Sequence, residues 1–447
     1  MSDTLTNANV TATLRVDGER PKTNLDLSTP YRILLQERAL LLLAGKAVKR
    51  LVNLSKRWIV GAQGAIARAY YSLPALSAYN LRRNVVRFKE QCIVVDTFPG
   101  SETFTQDWYL KIRGAEVIRR TTPTGLHTLD VQRFWKHVPQ HNQGEVFHIP
   151  EVFLASVNRA RIYSKDFLVL SADRTRLYEE SALSRQDVLE ANGVFNKMMW
   201  HSPKQMSGEY CLLACPWASN NYSEWLLGNL PRLAVIEQFA QMSSLPLIVP
   251  PDPRRRESLL RAGVAPERLV DFDNGYWQVD RLYFPQLPSP LANPSPHAVS
   301  WLRQTFLDQR SAVPTKRGRR LYVTRRDAQG RRVLNEEEIV SFLQSTGFEV
   351  VCPGDLTFAD QIELFCEACV VVGPHGAAFA NMVFAPATAT LVELFGDTYL
   401  NGCYWGLASI LGQKHTFLTG PSHWRNRLDY SISLNDLKAL LGKVGVL

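Results

Sequence analysis

In the second half of the chain, short apolar runs alternate with stretches in which apolar residues recur every three to four positions. The short runs indicate buried strands, and the three-to-four spacing indicates helices with one buried face. The first such stretch predicts strand 210–214, helix 224–241, strand 245–249, helix 254–261 and strand 269–272. Strands that alternate with helices in this way favour parallel βαβ units.

The same alternation resumes after residue 320 and predicts a second doubly wound sheet. Its predicted elements are strand 321–324, helix 336–345, strand 348–351, helix 359–366, strand 370–372, helix 378–384 and strand 390–394. Asn335 and Thr357 precede the first two helices, each with an acidic residue three positions on, as in a capping box. Gly347 stands where the first helix needs a left-handed residue to end.

Upstream of these units the pattern is weaker but rich in strands. It predicts strands at 92–97 and 115–120 and a strand pair within 159–176. Between the two units, five prolines in residues 285–296 disfavour a helix or a central strand and predict an inter-domain linker. The fold class that follows is α/β, with two Rossmann-like, doubly wound domains.

These features divide the chain into five predicted parts. They are a disordered leader at 1–28, a basic amphipathic helical region at 29–90, an N-terminal α/β domain at 91–284, a Pro-rich linker at 285–300, and a C-terminal doubly wound domain at 301–447. The leader is polar and has neither the basic start nor the apolar run of a secretory signal.

Charge changes this picture at one place. The net charge is +9, and eleven Lys/Arg with no Asp/Glu lie between Arg38 and Lys89. Apolar residues recur there at helical spacing, so this helical region could contact an anionic membrane surface or pack its apolar face on the rest of the protein. Nucleic acid is a weaker third partner, because no nucleic-acid-binding motif accompanies the charge, and we predict none is bound.

Composition narrows the class and the compartment. The 447 residues are 45% hydrophobic and 21% charged, which is typical of globular domains. Seven cysteines form no CxxC and no paired spacing, which favours a reducing compartment and predicts a cytoplasmic protein.

Candidate chemistry gathers at the predicted carboxyl ends of the second set of strands, where ligands bind in open α/β sheets. Arg325 follows the first strand there, Gly373, His375 and Gly376 follow the third, and Glu393 lies near the end of the fourth. The glycines would let backbone approach an anion, the helix beginning near Ala377 would offer free N–H groups, and Arg325 suits bidentate phosphate contact. His375 could donate to a phosphate oxygen, and Glu393 could accept from sugar or ribose hydroxyls.

Each of these residues also has an ordinary structural explanation when taken alone. Gly-Pro is a common turn, a single histidine is often structural, and Arg325-Arg326 could be surface charge.

Together, however, the residues form an ordered series. It comprises Tyr322-Val-Thr-Arg325-Arg326-Asp327, Arg332-Val-Leu-Asn335-Glu336, His375-Gly376-Ala377, Asn381-Met-Val-Phe384 and Val392-Glu393-Leu394, with Asn221-Tyr222-Ser-Glu224-Trp225 and Leu230-Pro231-Arg232-Leu233 upstream. This series resembles glycosyltransferase family 61, which includes bacterial capsule and exopolysaccharide enzymes and eukaryotic xylosyl- and N-acetylglucosaminyltransferases.

The resemblance implies a GT-B type architecture of two Rossmann-like domains. The N-terminal domain at 91–284 would be the acceptor side, the C-terminal domain at 301–447 would bind the nucleotide-sugar donor, and the acceptor would lie between the domains. It also implies inverting transfer without a metal and without a cofactor, the nucleotide sugar being a substrate. The implied donor-binding residues are Tyr322, Arg325, Arg326, Asn335, Glu336, Gly373, His375, Gly376, Ala377, Asn381 and Glu393. The implied acceptor-side residues are Asn221, Tyr222, Trp225 and Arg232. Asp271-Phe-Asp273 matches a metal-binding DxD only in its letters, and we interpret it as a solvated turn.

The chain departs from the family's pattern at Glu224 and Gly228, where members usually carry His and often an acidic residue. Inverting transfer needs a group that takes the acceptor hydroxyl's proton. Glu224 could be that base, or it could be a helix-start Glu favoured by the dipole. We therefore predict Glu224 and His375 as catalytic candidates.

The resulting prediction is an inverting hexosyl- or pentosyltransferase that acts on a glycan or lipid-linked acceptor in bacterial capsule, exopolysaccharide or lipopolysaccharide synthesis. It would be cytoplasmic, either free or peripheral at the inner face of the plasma membrane. The alternative is a non-catalytic relative that serves as a binding or scaffold protein of a glycan-assembly complex.

Overall fold

The computed structural model describes residues 85–99, 105–125, 131, 144–182, 202–273, 275–286, 293–308, 318–423 and 428–447. All of them belong to one compact unit that comprises residues 74–447. The predicted leader, and the basic region apart from its last residues, lie outside the described residues. Within these ranges no helix is both long enough and apolar enough to cross a membrane.

The larger of the two main sheets lies in the N-terminal half of the described chain. Its strands are β1 (Val85–Val86), β2 (Ile93–Val95), β3 (Trp108–Arg113), β6 (Val152–Asn158), β7 (Arg161–Tyr163), β8 (Leu168–Leu170), β9 (Leu177–Tyr178), β10 (Lys204–Leu212), β11 (Leu247–Val249), β12 (Leu269–Asp271) and β13 (Tyr276–Gln286). Strands β13, β10, β11 and β12 are neighbours in that order, and each neighbouring pair is parallel. On its other side β13 pairs antiparallel with β6 and β7. A separate two-stranded sheet pairs β4 (Glu116–Arg119) antiparallel with β5 (Val146–Ile149).

The smaller sheet is wholly parallel. Its strands are β14 (Arg319–Val323), β15 (Phe348–Val351), β16 (Ala368–Pro374), β17 (Thr390–Gly396) and β18 (Lys414–Gly420). Their spatial order is β15-β14-β16-β17-β18. The order of connection reverses between β14 and β16, and a crevice at such a switch point is where doubly wound sheets bind ligands.

The helices flank these sheets. They are α1 (Phe88–Gln91), α2 (Tyr222–Glu224), α3 (Leu233–Ile236), α4 (Pro253–Arg261), α5 (Pro296–Arg303), α6 (Glu336–Ser345), α7 (Phe358–Cys366), α8 (Cys403–Leu411) and α9 (Leu434–Lys443). Successive residues of β14 face opposite layers: Leu321 and Val323 belong to a core shared with α7 and α8, and Tyr322 belongs to one shared with α6 and α9. The α/β class predicted from the sequence is confirmed.

The predicted helix 224–241 is wrong as a continuous element. After α2 the chain forms a π-helical turn at Trp225–Asn229 and a 3₁₀ turn at Leu230–Arg232 before α3. Pro231 lacks an N–H for the helical ladder, and the Asn229 side chain donates to the Glu224 carbonyl at 2.7 Å. The helical pattern was therefore real, but local hydrogen bonding breaks it.

The predicted helix limits around α6 and α7 are better matched. Gly347 has φ 85° directly after α6, and the Thr357 hydroxyl accepts from Asp360 N at 3.2 Å at the start of α7. Asn335 makes no side-chain cap, which corrects the capping box predicted there. In the predicted linker, Pro285 lies inside β13 and Pro296 is the first residue of α5.

Candidate active site

A cleft of about 540 Å³ opens between the two halves of the described chain. Its smaller-sheet wall carries Arg325 after β14, Gly354 after β15 and Ala377 after β16. The wall from the larger-sheet half includes Asn220, Tyr222, Trp225, Arg255 and Ser258. Ligand-binding clefts commonly enclose roughly 300–1,000 Å³, so this one has room for a nucleotide-sized molecule.

The Arg325 guanidinium lies directly over Gly376. A Cβ built on Gly376 would stand 1.9 Å from Nη1 of Arg325. Gly376 has φ −172°, an extended conformation open to any residue, so what requires glycine here is the close approach of the arginine. The sequence predicted that Gly376 would let the backbone approach an anion, and in the structure the arginine occupies that space.

Arg325 is a half-buried cation without an ion-pair partner among the described residues. Its Nη2 donates to the Gly330 carbonyl at 3.3 Å, and its Nε is buried without a hydrogen-bond partner. Burial, followed by the nearby Arg331, lowers the pKa of Arg325. A buried cation that lacks a carboxylate is costly unless an anion joins it.

Next to this arginine, the chain turns into a 3₁₀ helix at Ala377–Phe384 rather than the predicted α-helix. The first backbone bond of this turn runs from Phe379 N to Gly376 O at 3.0 Å. The amides of Ala377 and Ala378 therefore precede the first helical hydrogen bond, and both residues line the cleft. The predicted amide donors are in place, but a short 3₁₀ segment supplies less dipole than an α-helix would.

His375 and Glu393 form a buried hydrogen-bonded pair, extended by a second histidine. Nδ1 of His375 lies 2.9 Å from Oε1 of Glu393, and Nε2 of His415 lies 2.9 Å from Oε2 of the same carboxyl. Glu393 is 0% exposed, and each of its two carboxyl oxygens has one of these imidazoles as a hydrogen-bond partner. Its contacts are with His375 and His415, and donor-hydroxyl binding by Glu393 stays a prediction.

Aromatic rings fix the planes of both imidazoles. His375 stacks on Phe395 with centroids 5.0 Å apart, and His415 stacks on Trp405 at 5.4 Å with an interplanar angle of 10°. Burial lowers the pKa of both histidines, that of His415 to about 3, and the neighbouring Arg331 and Arg325 lower that of His375 further. Burial raises the pKa of the Glu393 carboxyl.

Glu224 approaches this pair from the larger-sheet half. It is buried, at 4% exposure, and it is not among the residues that line the 540 Å³ cleft. Glu224 and Glu393 both raise the pKa of Cys403, after burial, so the two carboxyls lie near the start of α8. The structure thus brings the two predicted catalytic candidates, Glu224 and His375, to one neighbourhood beside the cleft.

Comparison with known protein families identifies a family that part of this chain matches. The model of the family described as Glycosyltransferase 61 matches residues 222–392. Residues 222–392 are a glycosyltransferase 61 region. The match begins at Tyr222 in the cleft wall and ends one residue before Glu393, and the resemblance predicted from the sequence is confirmed.

Two curated proteins are similar to parts of the chain. The EGF domain-specific O-linked N-acetylglucosamine transferase of Mus musculus is 29% identical over 108 residues, which are 23% of this chain and 20% of the relative. The Bos taurus protein of the same name is 31% identical over 100 residues, which are 21% of this chain and 18% of the relative. The chain therefore spans about a fifth of the length of the curated relatives it matches.

Several predicted donor residues of the glycosyltransferase 61 region face inward instead of into the cleft. Tyr322 is 0% exposed, and its hydroxyl donates to Glu336 at 3.0 Å, as does that of Thr324 at 2.8 Å. Asn335 bonds both the N–H and the carbonyl of Ile432, at 3.0 and 2.8 Å. Their contacts shape the loop after β14, and direct donor contact by Tyr322 or Asn335 is not what this geometry provides.

Gly373 and Arg326 also have structural contacts. A Cβ on Gly373 would lie 2.4 Å from the Val323 carbonyl of the neighbouring strand, so the glycine permits close strand packing. Arg326 is exposed and pairs with Asp355 at 2.6 Å. Arg325 is thus the member of the arginine pair that turns toward the cleft.

The predicted acceptor-side residues join the two halves or support the cleft wall. The Tyr222 hydroxyl donates to Asn381 at 2.6 Å, across from one half to the other. Asn221 caps α2 by accepting from Ser223 N at 3.0 Å. Trp225 donates through Nε1 to Ser258 at 2.9 Å while lining the cleft.

Arg232 is buried in the larger-sheet half. Its Nη2 donates to Gln286 at 2.7 Å, and its guanidinium lies 5.0 Å from the Phe284 ring. It does not line the 540 Å³ cleft, and the acceptor contact predicted for it stays a prediction.

Two arginines of the site were missed by sequence reasoning. Arg255 is 6% exposed and lines the cleft, and among the described residues only its backbone N–H and its Nε donate hydrogen bonds, to Asp252 and Ala218. Arg331 has φ 60° and lies 4.8 Å from the Tyr399 ring, close enough to affect the pKa of both Arg325 and His375.

A signal for Arg255 was present in the sequence. Arg254, Arg255 and Arg256 occupy the first turn of α4, where the helix dipole disfavours cations. A nearby anion would offset the unfavourable interaction of three arginines with the helix dipole. No comparable sequence signal identified Arg331, whose positive φ is visible only in the structure.

The Asp271 and Asp273 carboxylates have partners within their own half. Asp271 pairs with Arg256 at 3.2 Å, and Asp273 accepts from Trp277 Nε1 at 2.8 Å. In the part of the chain that the structure describes, no cluster of three or more His, Cys, Asp or Glu is arranged to hold a metal ion.

Proposed function

We propose that this protein is an inverting glycosyltransferase that takes its sugar from a nucleotide-sugar donor. The observation that carries the proposal is the unpaired, half-buried Arg325, which lies over Gly376 beside the free amides of Ala377 and Ala378. A guanidinium and backbone N–H groups at a strand-to-helix turn suit a diphosphate. The glycosyltransferase 61 match over the same residues supports this assignment.

The cleft supports a GT-B type arrangement, with the donor on the smaller-sheet half and the acceptor entering from the larger-sheet half. Apolar walls from Tyr222, Trp225, Pro353 and Phe358 suit the flat base and ribose of a nucleotide. The diphosphate would then lie at Arg325, which places the sugar toward His375. Arg255 would contribute a second positive charge from the opposite wall.

In the transfer that we propose, the acceptor oxygen forms a bond to the anomeric carbon from the face opposite the diphosphate. The bond from that carbon to the phosphate oxygen breaks, and its electron pair leaves with the nucleoside diphosphate. Arg325 and the two amides stabilise the charge that develops on the leaving group, as preorganised donors do in other enzymes. These residues can fill this role without a metal, so metal-independent transfer remains part of the proposal.

For the biological role, we propose addition of a hexose or pentose to a glycan or lipid-linked acceptor of a bacterial surface polysaccharide. The basic stretch Arg38–Lys89 supports a cytoplasmic position near an anionic membrane surface, where lipid-linked acceptors would be available. The named curated relatives transfer N-acetylglucosamine, which makes that sugar a donor moiety to include in any test.

The scaffold alternative has one specific observation in its favour. Glu224 stands where family members usually carry His, and it is buried outside the cleft lining. Arg325 is evidence against the scaffold alternative, because a scaffold has no need of a half-buried cation without an ion-pair partner among the described residues.

Isothermal titration calorimetry with a panel of nucleotide sugars tests the proposal, with Arg325→Ala compared to Arg326→Ala. The two arginines are adjacent, but Arg326 is exposed and paired with Asp355. We expect Arg325→Ala to weaken binding by roughly ten- to a hundredfold, since hydrogen bonds to charged groups contribute about 1.5–3 kcal/mol, and Arg326→Ala to bind like the wild type. Binding of no nucleotide sugar by the wild type would reject the proposal, and wild-type glycan output in cells with Arg325→Ala would favour the scaffold.

A further inference from the structure

The carboxyl group of Glu393 is held between two imidazoles, one on each oxygen. His375 approaches through Nδ1 and His415 through Nε2, both at 2.9 Å. An ionised carboxylate offers only acceptors, so both nitrogens must carry hydrogens if both contacts are hydrogen bonds to the charged form. A neutral His375 that is protonated on Nδ1 then has a lone pair on Nε2.

Three arginines lie around the cluster. Arg325 and Arg331 lie near His375, and Arg120 lies near His415, as their effects on the histidine pKa values show. Burial raises the pKa of the Glu393 carboxyl, but two N–H donors stabilise its charged form and oppose that shift. The same arginines disfavour a second proton on either imidazole.

Within the described residues, the polar contact of the His415 ring is the one to Glu393. It is 2% exposed, it stacks on Trp405, and its Nδ1 is buried without a hydrogen-bond partner. Leaving a buried polar atom unpaired costs free energy, so the unpaired Nδ1 of His415 destabilises the folded state. The contact that offsets this cost within the described residues is the one to Glu393.

We propose that Glu393 and His415 are positioning residues that keep His375 protonated on Nδ1, so that Nε2 of His375 is the base that accepts the acceptor's proton. The inference rests on the proposed function and concerns the base that it left open. It reassigns the base from Glu224 to His375. It also changes the role predicted for His375, from a hydrogen-bond donor to phosphate into a proton acceptor.

The acceptor O–H bond breaks and its proton passes to Nε2 of His375, while the acceptor oxygen forms its bond to the anomeric carbon. The electron pair of the broken carbon–oxygen bond leaves with the nucleoside diphosphate. The imidazolium that forms is stabilised by the Glu393 carboxylate and later releases its proton to solvent or to the departing phosphate.

Other titratable groups face the cluster from the packed elements, and the experiment must separate them. Tyr399 and Tyr404 contact the His375 ring, with centroids 5.8 and 5.1 Å away. Cys403 adjoins both Glu393 and Glu224 at the start of α8. Burial raises the pKa of Cys403 and of Tyr404 well above the usual values, so neither changes charge near neutral pH.

Matched substitutions exist because amide side chains imitate single imidazole nitrogens. His415→Gln keeps an N–H near the position of Nε2, and His415→Leu removes it. His375→Asn keeps an N–H near the position of Nδ1 but has nothing at Nε2. For each variant, kcat and kcat/KM of transfer are measured across pH, together with nucleotide-sugar affinity by calorimetry.

We expect His415→Leu to lower kcat by about ten- to a hundredfold with donor affinity within about twofold of the wild type, and His415→Gln to recover most of the rate. His415→Leu removes one N–H donor from the Glu393 carboxylate, so the charged form of Glu393 is less stable and supports a protonated His375 less. His375 is then less basic, and the acid limb of kcat/KM should move to lower pH in His415→Leu. His375→Asn should lower kcat by about 10²–10⁴-fold and retain donor binding.

The outcomes separate the two proposals. If the wild type binds no nucleotide sugar, the proposed function fails. If binding is normal and His415→Leu has the wild-type rate and pH profile, the positioning role is overturned. If Glu224→Gln lowers the rate of transfer strongly and removes the acid limb of its pH profile, while His375→Asn stays active, Glu224 is the base and the inference is overturned.

Discussion

The space above Gly376 is filled by the Arg325 guanidinium, which gives the glycine a testable role. An added methyl would stand 1.9 Å from Nη1 and force the arginine away from the cleft. We expect Gly376→Ala to weaken nucleotide-sugar binding by roughly ten- to a hundredfold, the contribution expected of about 1.5–3 kcal/mol from charged hydrogen bonds. Calorimetric titration measures the change.

Gly412→Ala is the matched control for Gly376→Ala. Gly412 ends α8 with φ 70°, and nothing lies within 4 Å of its added Cβ. Alanine there should cost about 1–2 kcal/mol of unfolding free energy through backbone strain and leave nucleotide affinity unchanged. If Gly376→Ala instead loses stability and keeps its affinity, the arginine does not hold the donor.

His415 should make the fold sensitive to mild acid. Burial lowers its pKa from 6.5 to about 3, so between these values the unfolded chain binds a proton that the folded chain does not. Stability is therefore lost as pH falls below about 6.5, by about 2 kcal/mol on reaching pH 5 at about 1.4 kcal/mol per pH unit. His415→Gln keeps the donor to Glu393 and removes this proton, so its unfolding free energy should fall less between pH 7 and pH 5.

Urea denaturation at both pH values measures this difference. His148→Gln, at an exposed position of β5, serves as the control for exchanging a histidine for glutamine. Equal pH dependence of the unfolding free energy in the wild type and His415→Gln would mean that burial does not keep His415 neutral.

At the scale of elements, the helices and strands of the smaller sheet were predictable because local signals agree with the tertiary structure. Helix α6 has the predicted limits, and α7 begins one residue early, at Phe358. The larger sheet was harder, because β13 gains its neighbours β6 and β7 from far away in the sequence. Periodicity alone does not contain that pairing.

The site shows the same division. Arg325, Gly376 and Ala377 were predicted from their positions after strands, and all three lie at the cleft or in its wall. The environment of Glu393 could not be predicted, since His415 reaches it from the neighbouring strand β18. Only the parallel register of β17 and β18 brings these two side chains together.

Helix α4 connects the two halves at one side of the cleft. The Glu257 carboxylate accepts from the amides of Phe358 and Ala359 at 3.1 and 3.4 Å, so it caps α7 from the opposite half. Thr357 caps the same helix from within its own half. We expect Glu257→Ala and Thr357→Ala each to lower the unfolding free energy by about 1 kcal/mol, the usual effect of losing a helix cap.

Only Glu257→Ala should also weaken nucleotide-sugar binding, because only that cap holds the two cleft walls together. Urea denaturation and calorimetry on both variants measure the two quantities. Equal affinities in the two variants would show that the walls keep their spacing without this contact.

At the scale of the whole molecule, one hydrophobic core joins the two halves. It contains Leu247, Ile248 and Val249 of β11 in the larger sheet and Val371 and Leu391 of β16 and β17 in the smaller sheet. A cleft lined by both halves needs a fixed spacing of its walls, and a shared core supplies it. The composition allowed large cores, but it could not show that one of them crosses from sheet to sheet.

A shared core predicts that the two sheets unfold together. Leu391 is fully buried, and Leu391→Ala should cost about 2–5 kcal/mol, the usual range for removing a buried Leu side chain. In native-state hydrogen exchange, the amides of β11 should lose as much protection as those of β16, although β11 lies in the other half. Val117→Ala, at a position 63% exposed, should change neither strand. Loss of protection confined to β16 would mean that each half is stable alone, and the cleft could then open by separation of intact halves.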